Sequence, residues 1–113
     1  MNFDYLESTR GKSIIVSDYE LNIVHMGDKI TELFEYPKEE LLGKNIKILM
    51  TGKILAKHDK YVNNYLMGNE PKIIGTDGKK TFGVTKNGKI IDFILKLEEI
   101  SINNIIYYVA IFL

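Results

Sequence analysis

At 113 residues, the chain has room for one domain with a single core. It is 45% hydrophobic and 27% charged, with no apolar run near the roughly 18 residues of a membrane helix and no secretion-signal pattern, so a soluble, cytoplasmic globular domain is expected. The absence of cysteine excludes a disulfide framework, thiolate metal sites, iron–sulfur clusters, covalent c-type haem and photochemistry through a cysteine adduct. Formal charge is zero but uneven: residues 1–35 carry 3 basic and 7 acidic groups (−4), residues 36–89 carry 11 and 5 (+6), and residues 90–113 carry 1 and 3 (−2). The basic groups of the middle segment are scattered lysines, which read as a solvated face and not as a nucleic-acid footprint.

In chain order, residues 1–12 are an N-terminal segment with no assigned element. Two short apolar runs follow, SIIV (13–16) and NIVHM (22–26), separated by the polar turn SDYEL. They read as strands. Asp28 is placed to cap a short helix that turns Ile30, Leu33 and Phe34 inward and is stopped by Pro37. KEELLGK (38–44) reads as one further helical turn ended by Gly43, and Asn45 is placed to cap a short NIKILM helix. The longer helix is expected from about Lys53 to Met67, with Gly68 as its stop. At about 100° per residue, Ile54, His58, Tyr61 and Tyr65 fall on one line of that helix, while Lys57, Lys60, Asn63 and Asn64 point away.

The last third is the clearest. Asp77-Gly78 marks a turn into KKTFGVTK (79–86), and Asn87-Gly88 is the signal of a two-residue hairpin turn. In KIIDFILKLEEI (89–100), Ile91, Phe93, Leu95 and Leu97 alternate with Asp92, Lys96 and Glu98, as in a half-buried strand. Asn103-Asn104 turns the chain into IIYYVAIFL (105–113), apolar on both faces. Such a run suits a central strand, or one whose outer side meets a second copy, an N-terminal helix or an effector.

His58 stands out because a lone histidine on an apolar helix line is a satisfied core residue, a ligand contact or a metal ligand. His25 has no motif around it and reads as structural or superficial. Asp59 has no Ser or Cys nucleophile to complete a triad, and the adjacent pairs Glu39/Glu40 and Glu98/Glu99 do not face each other as an acid/base pair would. The run GTDGK (75–79) lacks P-loop spacing and reads as a turn. No catalytic constellation is present, and no enzymatic activity is expected.

The motifs YPKEELLGKNIKILM (36–50), HDKYVNNYLMG (58–68), KIIG (72–75) and the Lys86-Asn87-Gly88 turn resemble, in order and spacing, the PAS superfamily of sensory domains. The closer likeness is to its H-D-x-Y subgroup, which includes haem-binding oxygen sensors. The resemblance covers about 100 of the 113 residues. It implies an α+β fold over 13–113: a five-stranded antiparallel sheet with short helices and one longer helix on one face. A cavity lined by Ile54, His58, Tyr61, Ile91, Phe93, Leu95 and Leu97 is implied between them. It further implies a signalling role, with a small ligand or cofactor held in the cavity and its state passed to a second copy or an effector through the sheet. The alternative is a ligand-free dimerisation module. Neither a nucleic acid nor a membrane is an expected partner.

By the same resemblance, His58 occupies the position of the proximal iron ligand in the oxygen sensors, so haem b is one cofactor it implies; in other members the same histidine bonds locally and no haem is bound. Gly78 stands where the oxygen sensors carry an arginine that stabilises bound ligand, Asn64 where a basic helix residue is common, and Thr76 where another sensor type places a methionine ligand.

Overall fold

Five antiparallel strands form one sheet in the order β2-β1-β5-β4-β3: β1 Ile14–Ser17, β2 Ile23–Met26, β3 Lys79–Val84, β4 Ile90–Ile102 and β5 Ile105–Phe112. The computed structural model describes residues 3–50 and 78–113; the longer helix expected from Lys53 to Met67, with His58, lies outside the described residues. The strand run that is apolar on both faces, β5, is the middle strand of the five.

Local chemistry accounts for the turns. Asp18 closes the β1–β2 connection: its Oδ1 accepts from the backbone N–H groups of Glu20 (3.0 Å) and Asn22 (2.9 Å), the side-chain turn that Asp favours. Asn103 and Asn104 both take left-handed backbone angles (φ 53° and 66°), so β4 and β5 join by the expected two-residue turn. The β3–β4 hairpin differs. Its last strand pair is Val84–Ile90, which leaves a five-residue loop, 85–89, in which Gly88 alone has positive φ (83°). The Gly88 N–H bonds to the Thr85 carbonyl, and the Thr85 hydroxyl accepts from the Lys89 N–H. That hydroxyl takes over part of the strand pairing and lengthens the loop past two residues.

On one side of the sheet lie α2 (Asp28–Phe34), α3 (Lys38–Leu41) and a 3-10 helix (Ile46–Leu49). Asn45 caps the last as expected, accepting from the Lys47 N–H at 3.2 Å. Asp28 does not cap α2. Gly27 holds the cap position, because the backbone there runs so close to Lys12 that a Cβ would lie 2.1 Å from its carbonyl oxygen. Asp28 is the first helical residue and bonds to Lys38 at 3.1 Å instead.

A helix that periodicity did not assign, α1 (Asp4–Arg10), packs on the opposite side. Two cores result. The inner one joins Ile15, Ile23, Met26, Ile30, Phe34, Leu41 and Leu49; the outer one joins Phe3 and Leu6 to Ile14, Val16, Tyr107, Val109 and Ile111.

Candidate functional site

Strand β4 separates the two surfaces that carry chemistry. Its register places Ile91, Phe93, Leu95 and Leu97 together on the inner face, opposite Gly83, Thr81, Phe112 and Ala110 respectively, as the alternation predicted. Phe93, Phe112 and Phe34 meet edge-on, with ring centroids 4.9 to 5.8 Å apart, the arrangement that aromatic quadrupoles favour. Gly83 lies beneath them: a Cβ there would lie 2.8 Å from the Phe34 ring and 3.2 Å from the Phe93 ring. This end of the interior is therefore filled by its own side chains. Leu95 and Leu97 are half-buried further along the same face and do not belong to that packed cluster. Past them, Glu99 pairs with Tyr108, whose phenol is pushed up to about 12 by burial first and then by the nearby Glu99 carboxylate and Tyr19.

The outer face has two halves. Over β1, β2 and β5, α1 is held by Phe3 and Leu6 and by two polar clasps. Arg10 forks onto Glu98, its Nε 2.6 Å from Oε2 and its Nη2 3.1 Å from Oε1. This hydrogen-bonded pairing holds Glu98 below the usual glutamate range and Arg10 above its ordinary value. His25 of β2 meets Glu7 at 3.0 Å, and the Phe3 ring lies 5.8 Å from the imidazole. Among the described residues nothing packs over the other half, above β3 and the start of β4. Phe82, Ile90, Ile94 and Leu113 are 49%, 58%, 41% and 67% exposed, and Ile94 and Leu113 exchange both backbone hydrogen bonds, so they point the same way.

A five-stranded antiparallel sheet with short helices on one side is a frame shared by many sensors, and the sequence comparison decides among families. The model of the PAS fold matches residues 6–100, most of the chain. The chain belongs to the PAS family.

Solved PAS structures agree. The dark-state structure of the blue-light photoreceptor Aureochrome1 LOV is 16% identical at a TM-score of 0.71, covering 100% of this chain and 82% of that one. A PAS domain from a two-component sensor histidine kinase is 16% identical at a TM-score of 0.72, over 96% and 89% of the two chains. A PAS domain from Desulfitobacterium hafniense is 18% identical at a TM-score of 0.72, over 97% of both. These likenesses show the fold, and they do not support the narrower haem-sensing subgroup. No helix among the described residues is long and apolar enough to cross a membrane.

Of the predicted site residues of this PAS domain, Ile91, Phe93, Leu95 and Leu97 converge on the inner face. Ile54, His58 and Tyr61, with Asn64 and Thr76, lie outside the described residues. Gly78 has φ 117°, and a Cβ there would meet Ile94 Cγ2 at 2.7 Å. A side chain at this position would start toward the outer face, away from the interior that an oxygen sensor's arginine must reach.

Of the two faces left open for β5, Tyr107, Val109 and Ile111 face α1, while Ala110 and Phe112 pack inward. Sequence reasoning missed α1 and the partnership of His25 with Glu7. The signal was present: Phe3, Leu6 and Arg10 follow helical spacing, acidic residues stand in the first turn, and Gly11 at φ 85° ends the helix.

Proposed function

We propose that this PAS domain is a sensory, non-enzymatic module that holds a small ligand or cofactor at the Leu95–Leu97 end of its interior and passes the bound state through β4 to a partner on the outer face. The observation that carries this reading is the two-sidedness of β4. Inward it presents Phe93, Leu95 and Leu97; outward, in the same stretch, it presents the exposed Ile90 and Ile94. A group bound against Leu95 presses on the stretch of strand that carries its neighbour Ile94. Ligand binding biases output only through different affinity for two arrangements of the strand, and β4 links the two surfaces directly. The partner is a second copy or an effector domain docked on Phe82, Ile90, Ile94 and Leu113.

Haem b with His58 as axial ligand is the narrower form of this proposal. One LOV relative, 17% identical at a TM-score of 0.72, was solved with a flavin analogue, so a planar cofactor is compatible with the frame. This chain contains no cysteine with which a flavin could form an adduct. The interlocked Phe34–Phe93–Phe112 cluster favours the second reading, a ligand-free interaction module.

The test is spectroscopic. The chain is mixed with haem and its Soret band recorded with and without His58→Ala; a band shifted from free haem in the parent and lost in the variant supports haem. In parallel, native mass spectrometry of the protein as purified is compared with a Leu97→Trp variant. A bound mass that disappears on filling that end supports a ligand there. Absence of any bound mass, together with a free-haem spectrum, leaves the interaction module as the function.

A further inference from the structure

We propose that Asp4, Glu7 and His25 form a binding site for one borderline divalent cation, Zn2+ being the best match, which pins α1 to β2. Asp4 and Glu7 stand three residues apart and so share one side of α1. His25 stands on β2 opposite Val16, with its ring on the α1 side of the sheet. One imidazole nitrogen and two carboxylate oxygens from these residues all lie within 4.8 Å of one another.

The donor set decides the metal class. Mg2+ and Ca2+ are taken by oxygen ligands alone, whereas imidazole with carboxylate suits Zn2+ and its neighbours. A tetrahedral ion with bonds of about 2.0–2.1 Å holds its ligand atoms roughly 3.4 Å apart. The His25 and Glu7 atoms, at 3.0 Å, need to part by only a few tenths of an ångström to reach that spacing, and both side chains are largely buried at 17% and 21% exposure. The third carboxylate belongs to the exposed Asp4, at the start of α1. Water completes the coordination.

Two further features favour a cation here. Arg10, the basic residue of α1, is committed to Glu98 and Thr9. The site also lies in the most acidic third of the chain, net −4 over residues 1–35. The cation takes the place of the proton shared by His25 and Glu7, turning one hydrogen bond between α1 and β2 into a three-point tie. The site lies on the α1 side of the sheet, away from the inner face of β4, so it stands or falls independently of the ligand proposed above.

The test uses the full chain, stripped with EDTA. Zn2+ is titrated by calorimetry, and Co2+ by its visible d–d absorption, which reports coordination. One equivalent is expected. Asp4→Asn, a change at an exposed position, is expected to weaken binding at least tenfold, and His25→Ala to remove it. Amide exchange at Leu6 and its helix neighbours is expected to slow at least tenfold with saturating Zn2+ in the parent and not in Asp4→Asn. Absence of binding at millimolar metal, or binding kept by Asp4→Asn or by His25→Ala, would each overturn the proposal.

Discussion

The two faces of this sheet are built on different principles. The inner face is closed by large side chains from several elements: Phe34 from α2, Phe93 from β4, Phe112 from β5 and Leu49 from the 3-10 helix, locked over Gly83. The outer face carries a seven-residue helix held by two apolar side chains and two polar clasps, and beside it an apolar surface with nothing described over it. A helix of seven residues is far too short to be stable alone, so α1 exists because of what it docks on. The inner face supplies the frame; the outer face is the part whose covering can change at modest cost.

Removing the centre of the inner face is the strongest test of that difference. Phe34→Ala leaves a cavity among Phe93, Phe112 and Ile30 and is expected to cost about 3–5 kcal/mol in urea unfolding. Leu6→Ala removes the fully buried anchor of α1 and is expected to cost about 2–3 kcal/mol, near the low end of core truncations because a docked helix can resettle. Equal costs would mean that α1 is as integral as the core. Gly83→Ala tests tightness instead of volume. Its new methyl would press on the Phe34 ring and on the Leu49 carbonyl oxygen at 3.0 Å, with an expected loss of about 1–3 kcal/mol. A neutral result would show that the aromatic cluster can give, and that it is not a fixed wall beside the Leu95–Leu97 end.

The same contrast explains what could be read from sequence. The strands were legible because one-sided burial leaves a period of two, as in Ile91, Phe93, Leu95 and Leu97, and because β5 lies at the centre and is apolar throughout. The Asn45 cap and the Asn103-Asn104 turn were legible because each is set by its own residues. What could not be read depended on distant partners. Gly27 displaces Asp28 from the cap because Lys12, fifteen positions earlier, passes beneath it. The β3–β4 loop lengthens because the Thr85 hydroxyl finds the Lys89 N–H and because Phe34, far upstream, accepts from the Lys86 N–H. The candidate site divides likewise: the sheet wall was visible in β4, while the role of His25 required α1 and its docking against β2, which the short signal of Phe3, Leu6 and Arg10 does not specify.

The Arg10–Glu98 clasp gives a smaller effect with a pH signature. Glu98 titrates below its ordinary value when folded because Arg10 bonds its ionised form. The stabilisation is therefore present above the usual glutamate range and is lost as pH falls through the depressed folded value. Both side chains are partly exposed, so the gain is near the upper end for surface pairs. Glu98→Gln is expected to cost about 1 kcal/mol at pH 7. Unfolding curves of parent and variant should converge as the pH is lowered through the depressed folded value of Glu98. A gap that persists there would mean that the contact is mainly packing.

The smallest expected effect on stability is also the most direct test of the bare half of the outer face. Ile94 is 41% exposed and packs into neither core, so Ile94→Lys removes little buried area and is expected to change stability by less than about 0.5 kcal/mol. Its effect on association should be far larger. An isologous contact places each substituted residue near the same patch of the second copy, so one substitution buries two lysines against apolar surface. Sedimentation equilibrium of parent and variant separates the cases. A self-association weakened at least tenfold at unchanged stability identifies the face as a homodimer surface. If the parent is monomeric, or if association is unaffected by Ile94→Lys, the patch belongs to a different domain or carries no partner. Tyr108→Lys is no substitute, because residue 108 shares its side of β5 with Ala110 and Phe112, which pack inward.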